Sequence, residues 1–409
     1  MIKIHQGKIF EVEDKAVMAT DIEIDGAIKT VQVSVAKEYG KFLSPERADY
    51  ALIGMLRYAL LMKHDITCDA PVTEQLLYNV TQILIPTLIK SDARNFPVKI
   101  FAKTAPPLEK LDFTDTLNKK FSFAKNDDGN FSIEKIAEKN FGAVGTGLSC
   151  GVDSFYTLLK HYKSAYPNMN LTHIVTFESP AFTVNYKKYP QTKSEIYFRA
   201  ERVAADLNLS FVKVGTNFAK VLPQHYDYSH TYTSMLPVYA MQKLWKIYYY
   251  AGSDPLSLFT LENNLTKPTG YFELLLLDCF STPNLKIISS GSEVSRKDKV
   301  EFIADFPIVQ KNIHVCTVKG DCNCGVCGKC MRTLFDLDAL NRLDDFKESF
   351  DIDDYRKNIR GRYRYLYRHC VVRKNPFLKE AYEILSERHK DVFKVAAAEV
   401  QAELEKKAT

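Results

Sequence analysis

The sequence predicts an α/β protein with a parallel, doubly wound sheet, and three observations carry that expectation. Strand-like and helix-like patterns alternate from residue 106 to about residue 345. Within that region a strand of small residues runs through a tight turn directly into a helix. Near its end, five cysteines crowd between Cys316 and Cys330. Alternating strands and helices favour parallel pairing, because each crossover helix carries the chain back along a sheet face and covers it.

Residues 1–105 read as a separate N-terminal α+β domain. Thr30–Val35 alternates as a strand does. Ser44 and Pro45 are the expected N-cap and first residue of a helix. Its apolar stripe runs through Ala51, Leu52, Met55, Leu56, Ala59 and Leu60. A second helix is expected from near Thr73, carrying Leu76, Leu77, Val80, Ile83 and Leu84, and a closing strand over 97–102. In the α/β region, strands are expected at Phe141–Gly147, Leu171–Phe177, Ser210–Val214, Lys246–Tyr250 and Leu285–Ser290. Helices are expected at Val152–Tyr162, Ser194–Leu207 and Met235–Leu244. The span 346–409 reads as helical and rich in charge, with amphipathic helices from Pro376 onward.

Composition narrows the function classes. The chain of 409 residues is 46% hydrophobic and 12% aromatic, enough for large packed cores and against disorder. A net charge of +5 is mild for this length and does not by itself call for nucleic acid. No apolar run approaches the ~20 residues that span a bilayer, so no membrane partner is expected. The opening Met1–Gln6 has no hydrophobic signal core, which makes a cytoplasmic location the expectation. Nine cysteines, odd in number and clustered, favour a metal site over a disulfide framework.

Gly147-Leu148-Ser149-Cys150-Gly151-Val152-Asp153-Ser154 lies at the strand-to-helix junction. Such a junction aims backbone N–H groups and the positive end of a helix at one point, which suits an anion. Gly147 and Gly151 allow backbone turns that a side chain would hinder. Ser149 and Ser154 add hydroxyl donors, and Asp153 can organise the loop or help hold magnesium. The bland alternative is a packing turn. The string lacks the Gly-Lys-Ser/Thr of a Walker loop. It resembles the Ser-Gly-Gly-x-Asp-Ser signature of the PP-loop ATP pyrophosphatase superfamily, with Cys150 where that family usually has glycine. The resemblance implies an adenine nucleotide α-hydrolase-like fold that binds ATP with Mg2+ and splits it between the α and β phosphates. It places residues 147–154 at the nucleotide, with Asp153 and Ser154 among the catalytic groups.

Cys324-Gly325-Val326-Cys327-Gly328-Lys329-Cys330 holds two overlapping Cys-x-x-Cys steps, the spacing at which one turn offers two thiolates to tetrahedral Zn2+. The expected ligands are Cys316, Cys324, Cys327 and Cys330, with Cys322 as the alternative fourth. Four thiolates leave no open position, so the metal would be structural. An iron–sulfur cluster is the other metal centre that cysteines alone allow.

A PP-loop followed by these cysteines resembles the 7-cyano-7-deazaguanine synthase family over about residues 140–340. Ser295-Arg296-Lys297-Asp298-Lys299-Val300 and Cys327–Leu334 fit as well. Tyr39-Gly40, Pro45-Glu46-Arg47-Ala48-Asp49 and Ala70-Pro71-Val72 look like synthase-like proteins with an extra N-terminal domain. The resemblance implies a C–N-forming ligase that adenylates a small-molecule acid or base, a deazaguanine-like one included. Ammonia or another nitrogen donor then displaces AMP.

Other candidates follow from position. Phe177 and Gly291 stand at strand ends, where open α/β sheets bind ligands. Glu178 follows Phe177 and is a substrate candidate, as is His230, expected just before a helix. Arg296 and Lys299, one helical turn apart, suit a phosphate or an acidic substrate. Arginines and tyrosines interleave from Arg356 to Lys374. They could seat RNA, or pair with neighbouring carboxylates. An RNA-modifying enzyme of the thiolating kind, and a zinc-stabilised nucleotide-sensing module without turnover, are the alternative functions. A homodimer is left open.

Overall fold

The computed structural model describes residues 1–117, 142–177, 192–318 and 321–408. The chain divides into two compact units. The first comprises 1–148, 157–187 and 200–293; the second comprises 149–156, 188–199 and 294–409.

The first unit is built on a large mixed, mostly parallel sheet. Among the described residues it holds eleven strands. They are β1 (Ile2–Ile4), β2 (Lys8–Val12), β3 (Lys15–Ile24), β4 (Ala27–Ala36), β5 (Ile66–Cys68), β7 (Ile100–Phe101), β9 (Ala143–Gly147), β10 (His173–Phe177), β11 (Ser210–Thr216), β12 (Trp245–Ala251) and β13 (Lys286–Ser290). The short β6 (Val72–Thr73) and β8 (Thr104–Ala105) pair apart from it. The order is β13-β12-β9-β10-β11-β4-β3-β1-β5-β7, with β2 also on β3.

The α/β expectation holds for one block of this sheet, since β9 to β13 pair in parallel throughout. β9 is made of small residues because of what it meets. A Cβ on Gly145 would lie 2.7 Å from the Trp245 indole. The N-terminal strands continue the same sheet. β4 runs antiparallel to β11, with Gly215 opposite Ser34 and Thr216 opposite Val33. The boundary expected near residue 105 therefore falls inside the first unit. The β3–β4 hairpin turns on Asp25 and Gly26, both at positive φ, as a tight two-residue hairpin requires.

One local expectation needs correction. The helix expected from Ser44 begins at Asp49 and runs to Met62. Ser44 is instead buried, its N–H bonded to the Ala240 carbonyl and its hydroxyl to the Phe42 carbonyl. The second helix starts at Glu74, after Thr73, but widens into a π-turn over Asn79–Leu84 before continuing as Ile85–Ser91. Pro86 has no N–H to donate, and the widened turn just before it accommodates that loss. The Asp49–Met62 helix packs on the Tyr226–Ala240 helix, and their buried faces join Trp245 and Phe280 in one apolar cluster.

The second unit carries the helical C-terminus. Its helices include Arg296–Ala304, Gly328–Ala339, Ile359–Tyr367, Lys379–Arg388 and Lys390–Ala408. The arginine-rich stretch meets acids on these helices and the loops between them. Arg356 pairs with Asp344, Arg362 with Asp354, Arg360 with Glu399, and Arg364 and Arg368 with Glu403. Among the described residues, no helix is long and apolar enough to cross a membrane.

Candidate functional site

In the second unit, the chain between β9 and the Val152–Tyr162 helix makes a closed turn. The Gly151 N–H points to the Ser149 Oγ at 3.4 Å, and the Ser154 hydroxyl donates to the Gly151 carbonyl at 3.1 Å. The two serine hydroxyls lie 3.2 Å apart. Cys150 sits at φ 59, the left-handed region that glycine adopts without cost. Its carbonyl accepts the His314 N–H at 2.8 Å, and its side chain is buried.

Asp153 opens the helix, and the Arg296–Ala304 helix brings two cations to it. That helix begins with a capping box, in which the Ser295 hydroxyl accepts the Asp298 N–H and the Asp298 carboxylate accepts the Ser295 N–H. The cap fixes Arg296 at the first helical position, and Lys299 follows one turn later. The Lys299 Nζ lies 2.8 Å from Asp153 Oδ1, and an Arg296 Nη lies 3.9 Å from Oδ2. Lys299 is almost wholly buried. Burial alone would raise the Asp153 carboxyl; Lys299 and Arg296 outweigh it and hold the group below its ordinary value.

Sequence reasoning missed part of this cluster. The Gly328–Ala339 helix presents Lys329, Arg332, Thr333 and Asp336 at spacings of three and four, one face of a helix. Thr333 accepts a hydrogen bond from Arg296 at 3.0 Å and donates to the Lys329 carbonyl at 3.1 Å. Asp336 lies 3.4 Å from Arg296 Nε and is buried. Burial pushes its carboxyl up to about 7, with Arg296 and Arg332 opposing. The spacing is visible in the sequence, but spacing alone does not say that this face meets Arg296.

The same helix starts from the cysteines. The sulfur atoms of Cys316, Cys324, Cys327 and Cys330 lie within 4.8 Å of one another, a cluster that could bind a metal such as zinc. Cys322 is exposed and stands outside that group. The Cys327 N–H points to the Cys324 sulfur at 3.3 Å, and the Val318 N–H to the Cys316 sulfur at 3.4 Å. Gly325 takes φ 68 between the ligands. The Asn323 side chain accepts the N–H groups of Val315 and Cys316 and donates to the carbonyls of Ile313 and Ser349, which fastens the loop. Hydrogen bonds with Cys316 and Cys330 lower the Cys327 thiol, while bonds with Cys316 and Cys327 raise Cys330. Crowded thiols share protons in this way, and a cation would let all four ionise.

The remaining candidates lie in the first unit. Gly147 ends β9, where a Cβ would meet the Tyr248 hydroxyl at 3.0 Å, and the Leu148 N–H bonds the Val175 carbonyl. Phe177 ends β10 with its ring near Tyr248. Gly291 follows β13 at φ 102, its N–H bonded to Glu293. His230 lies inside the Tyr226–Ala240 helix rather than before it, and its Nδ1 is 2.8 Å from the Tyr250 hydroxyl. Glu178 and the expected strand start at Phe141 lie outside the described residues. Comparisons with protein-family models, with curated proteins and with solved structures return no match.

Proposed function

We propose that this chain is an ATP-dependent, AMP- and pyrophosphate-forming synthetase of the PP-loop type, similar to 7-cyano-7-deazaguanine synthase. The observation that carries the reading is the turn from Ser149 to Ser154, with Arg296 and Lys299 drawn to Asp153 at its helical end. Hydroxyls and cations gathered at a strand-to-helix turn favour a phosphate ligand. The β and γ phosphates bind there, and Mg2+ supplies further charge compensation. A carboxylate or amide oxygen of a small-molecule acid or base attacks the α phosphorus. The bond from that phosphorus to the bridging oxygen breaks, and pyrophosphate leaves. A nitrogen nucleophile such as ammonia then attacks the activated carbon, and AMP departs. Arg296 and Lys299 steady the charge that develops on pyrophosphate. Zn2+ in the four cysteines is structural, since no coordination position stays open.

A small-molecule acceptor is preferred to RNA because the arginines that would favour RNA meet carboxylates within their own unit. The test is ATP turnover with Mg2+, ammonia and a panel of small carboxylates, deazaguanine carboxylates among them. Release of AMP and pyrophosphate with one acceptor is expected. Unchanged ATP across the panel removes the reading, and full activity in Asp153→Ala removes the loop assignment.

A further inference from the structure

We propose that Thr333 and Asp336 are positioning residues for Arg296: they hold one edge of its guanidinium so that the other end faces the phosphates of a bound nucleotide. The inference rests on the phosphate reading of the Ser149–Ser154 turn and deepens it, adding the residues that aim one cation of that site.

A guanidinium is flat, and its donors leave in fixed directions. Nε and one terminal nitrogen share an edge, the fork that meets two acceptors side by side. In Arg296 that edge turns to the Gly328–Ala339 helix. Nη2 donates to the Thr333 hydroxyl at 3.0 Å, and Nε lies 3.4 Å from Asp336 Oδ2. The other nitrogen, Nη1, stands off this edge. It lies 3.9 Å from Asp153 Oδ2, too far for a hydrogen bond. That end of the group can take a phosphate oxygen at the turn.

Local chemistry explains why these two residues serve. Thr333 and Asp336 are three apart, so both lie on one face of their helix. The Thr333 hydroxyl has a single proton, which it donates to the Lys329 carbonyl at 3.1 Å. Its lone pairs remain, and a lone pair is what a guanidinium needs. Thr333 and Asp336 are both buried, so neither can turn away into water. The Arg296 side chain is itself only 11% exposed. Its rotamers are restricted on folding, and less ordering is left to oppose the ligand on binding.

Inorganic pyrophosphate, titrated calorimetrically into the metal-loaded full chain, is the probe. Thr333→Val and Asp336→Leu should each weaken it about tenfold, as loss of a hydrogen bond or ion pair to a charged group does. Thr333→Ser, which keeps the hydroxyl, should stay within about twofold of wild type. The deciding measurement repeats both changes in an Arg296→Gln background, where each should add less than about twofold. Metal content and circular dichroism report folding, and where Asp336→Leu fails them the Thr333 cycle decides. Losses that multiply in the double variants, as a general loosening of the fold would give, overturn the inference. Undiminished affinity in Thr333→Val overturns it too. In both cases a wild type that binds pyrophosphate leaves the phosphate reading standing. Wild-type protein that binds no pyrophosphate removes both.

Discussion

Cys150 is a residue whose backbone and side chain pull in opposite directions. Its left-handed backbone costs an L-residue roughly 1–2 kcal/mol, while its buried thiol contributes packing of similar size. Cys150→Gly should therefore change the unfolding free energy by less than about 1 kcal/mol. Cys150→Val, β-branched at positive φ, should cost about 3 kcal/mol, both read by urea denaturation. Asp153 and Asp336, both beside Arg296, respond to pH with opposite signs. Asp153 is held below its ordinary value, so its ion pair stabilises fully above the unfolded carboxylate value and is lost as pH falls through the lower folded one. Asp336 is raised to about 7, so the folded state keeps a proton that the unfolded chain has released. Its contribution is present at acid pH and lost as pH rises from about 4 to about 7. The stability difference between Asp336→Asn and wild type should move in the variant's favour across that window, as thermal melts at pH 4.5 and 8 would read. A difference that stays flat with pH would contradict the burial argument.

At the scale of elements, the apolar stripe from Ala51 to Leu60 marks a real helix, Asp49–Met62, while the start expected for it at Ser44 does not hold. The helix expected over Val152–Tyr162, directly after the strand and its turn, is there. Ser44-Pro45 has the right letters for a helix start, yet Ser44 is held by Ala240, a partner far along the chain. Local letters cannot announce such a partner. The cysteine spacing was legible down to the group that lies together, since chelation by one turn is a local matter. Cys330→Ser and Cys316→Ser should abolish tight zinc binding, and Cys322→Ser should retain one zinc per chain by metal analysis. The ladder between the Ile359–Tyr367 and Lys390–Ala408 helices is a surface feature. Glu399→Gln with Glu403→Gln should cost about 1 kcal/mol at low salt and almost nothing at 1 M.

At the scale of the molecule, the sequence announced the parallel block and missed its continuation. Nothing in Ala27–Ala36 says that its partner is Ser210–Thr216, because a strand's pattern names a buried face and not a neighbour. That pairing has a consequence for how the chain is made. Gln32 donates its N–H to the Asn217 side chain, 185 residues later. A ribosome adding about 5–20 residues per second leaves the first hairpin waiting roughly ten to forty seconds for that edge to emerge. During the wait β4 is an exposed strand with apolar Val31, Val33 and Val35 on one face. Until residue 217 leaves the tunnel, that unpaired edge is open to pairing with another newborn chain.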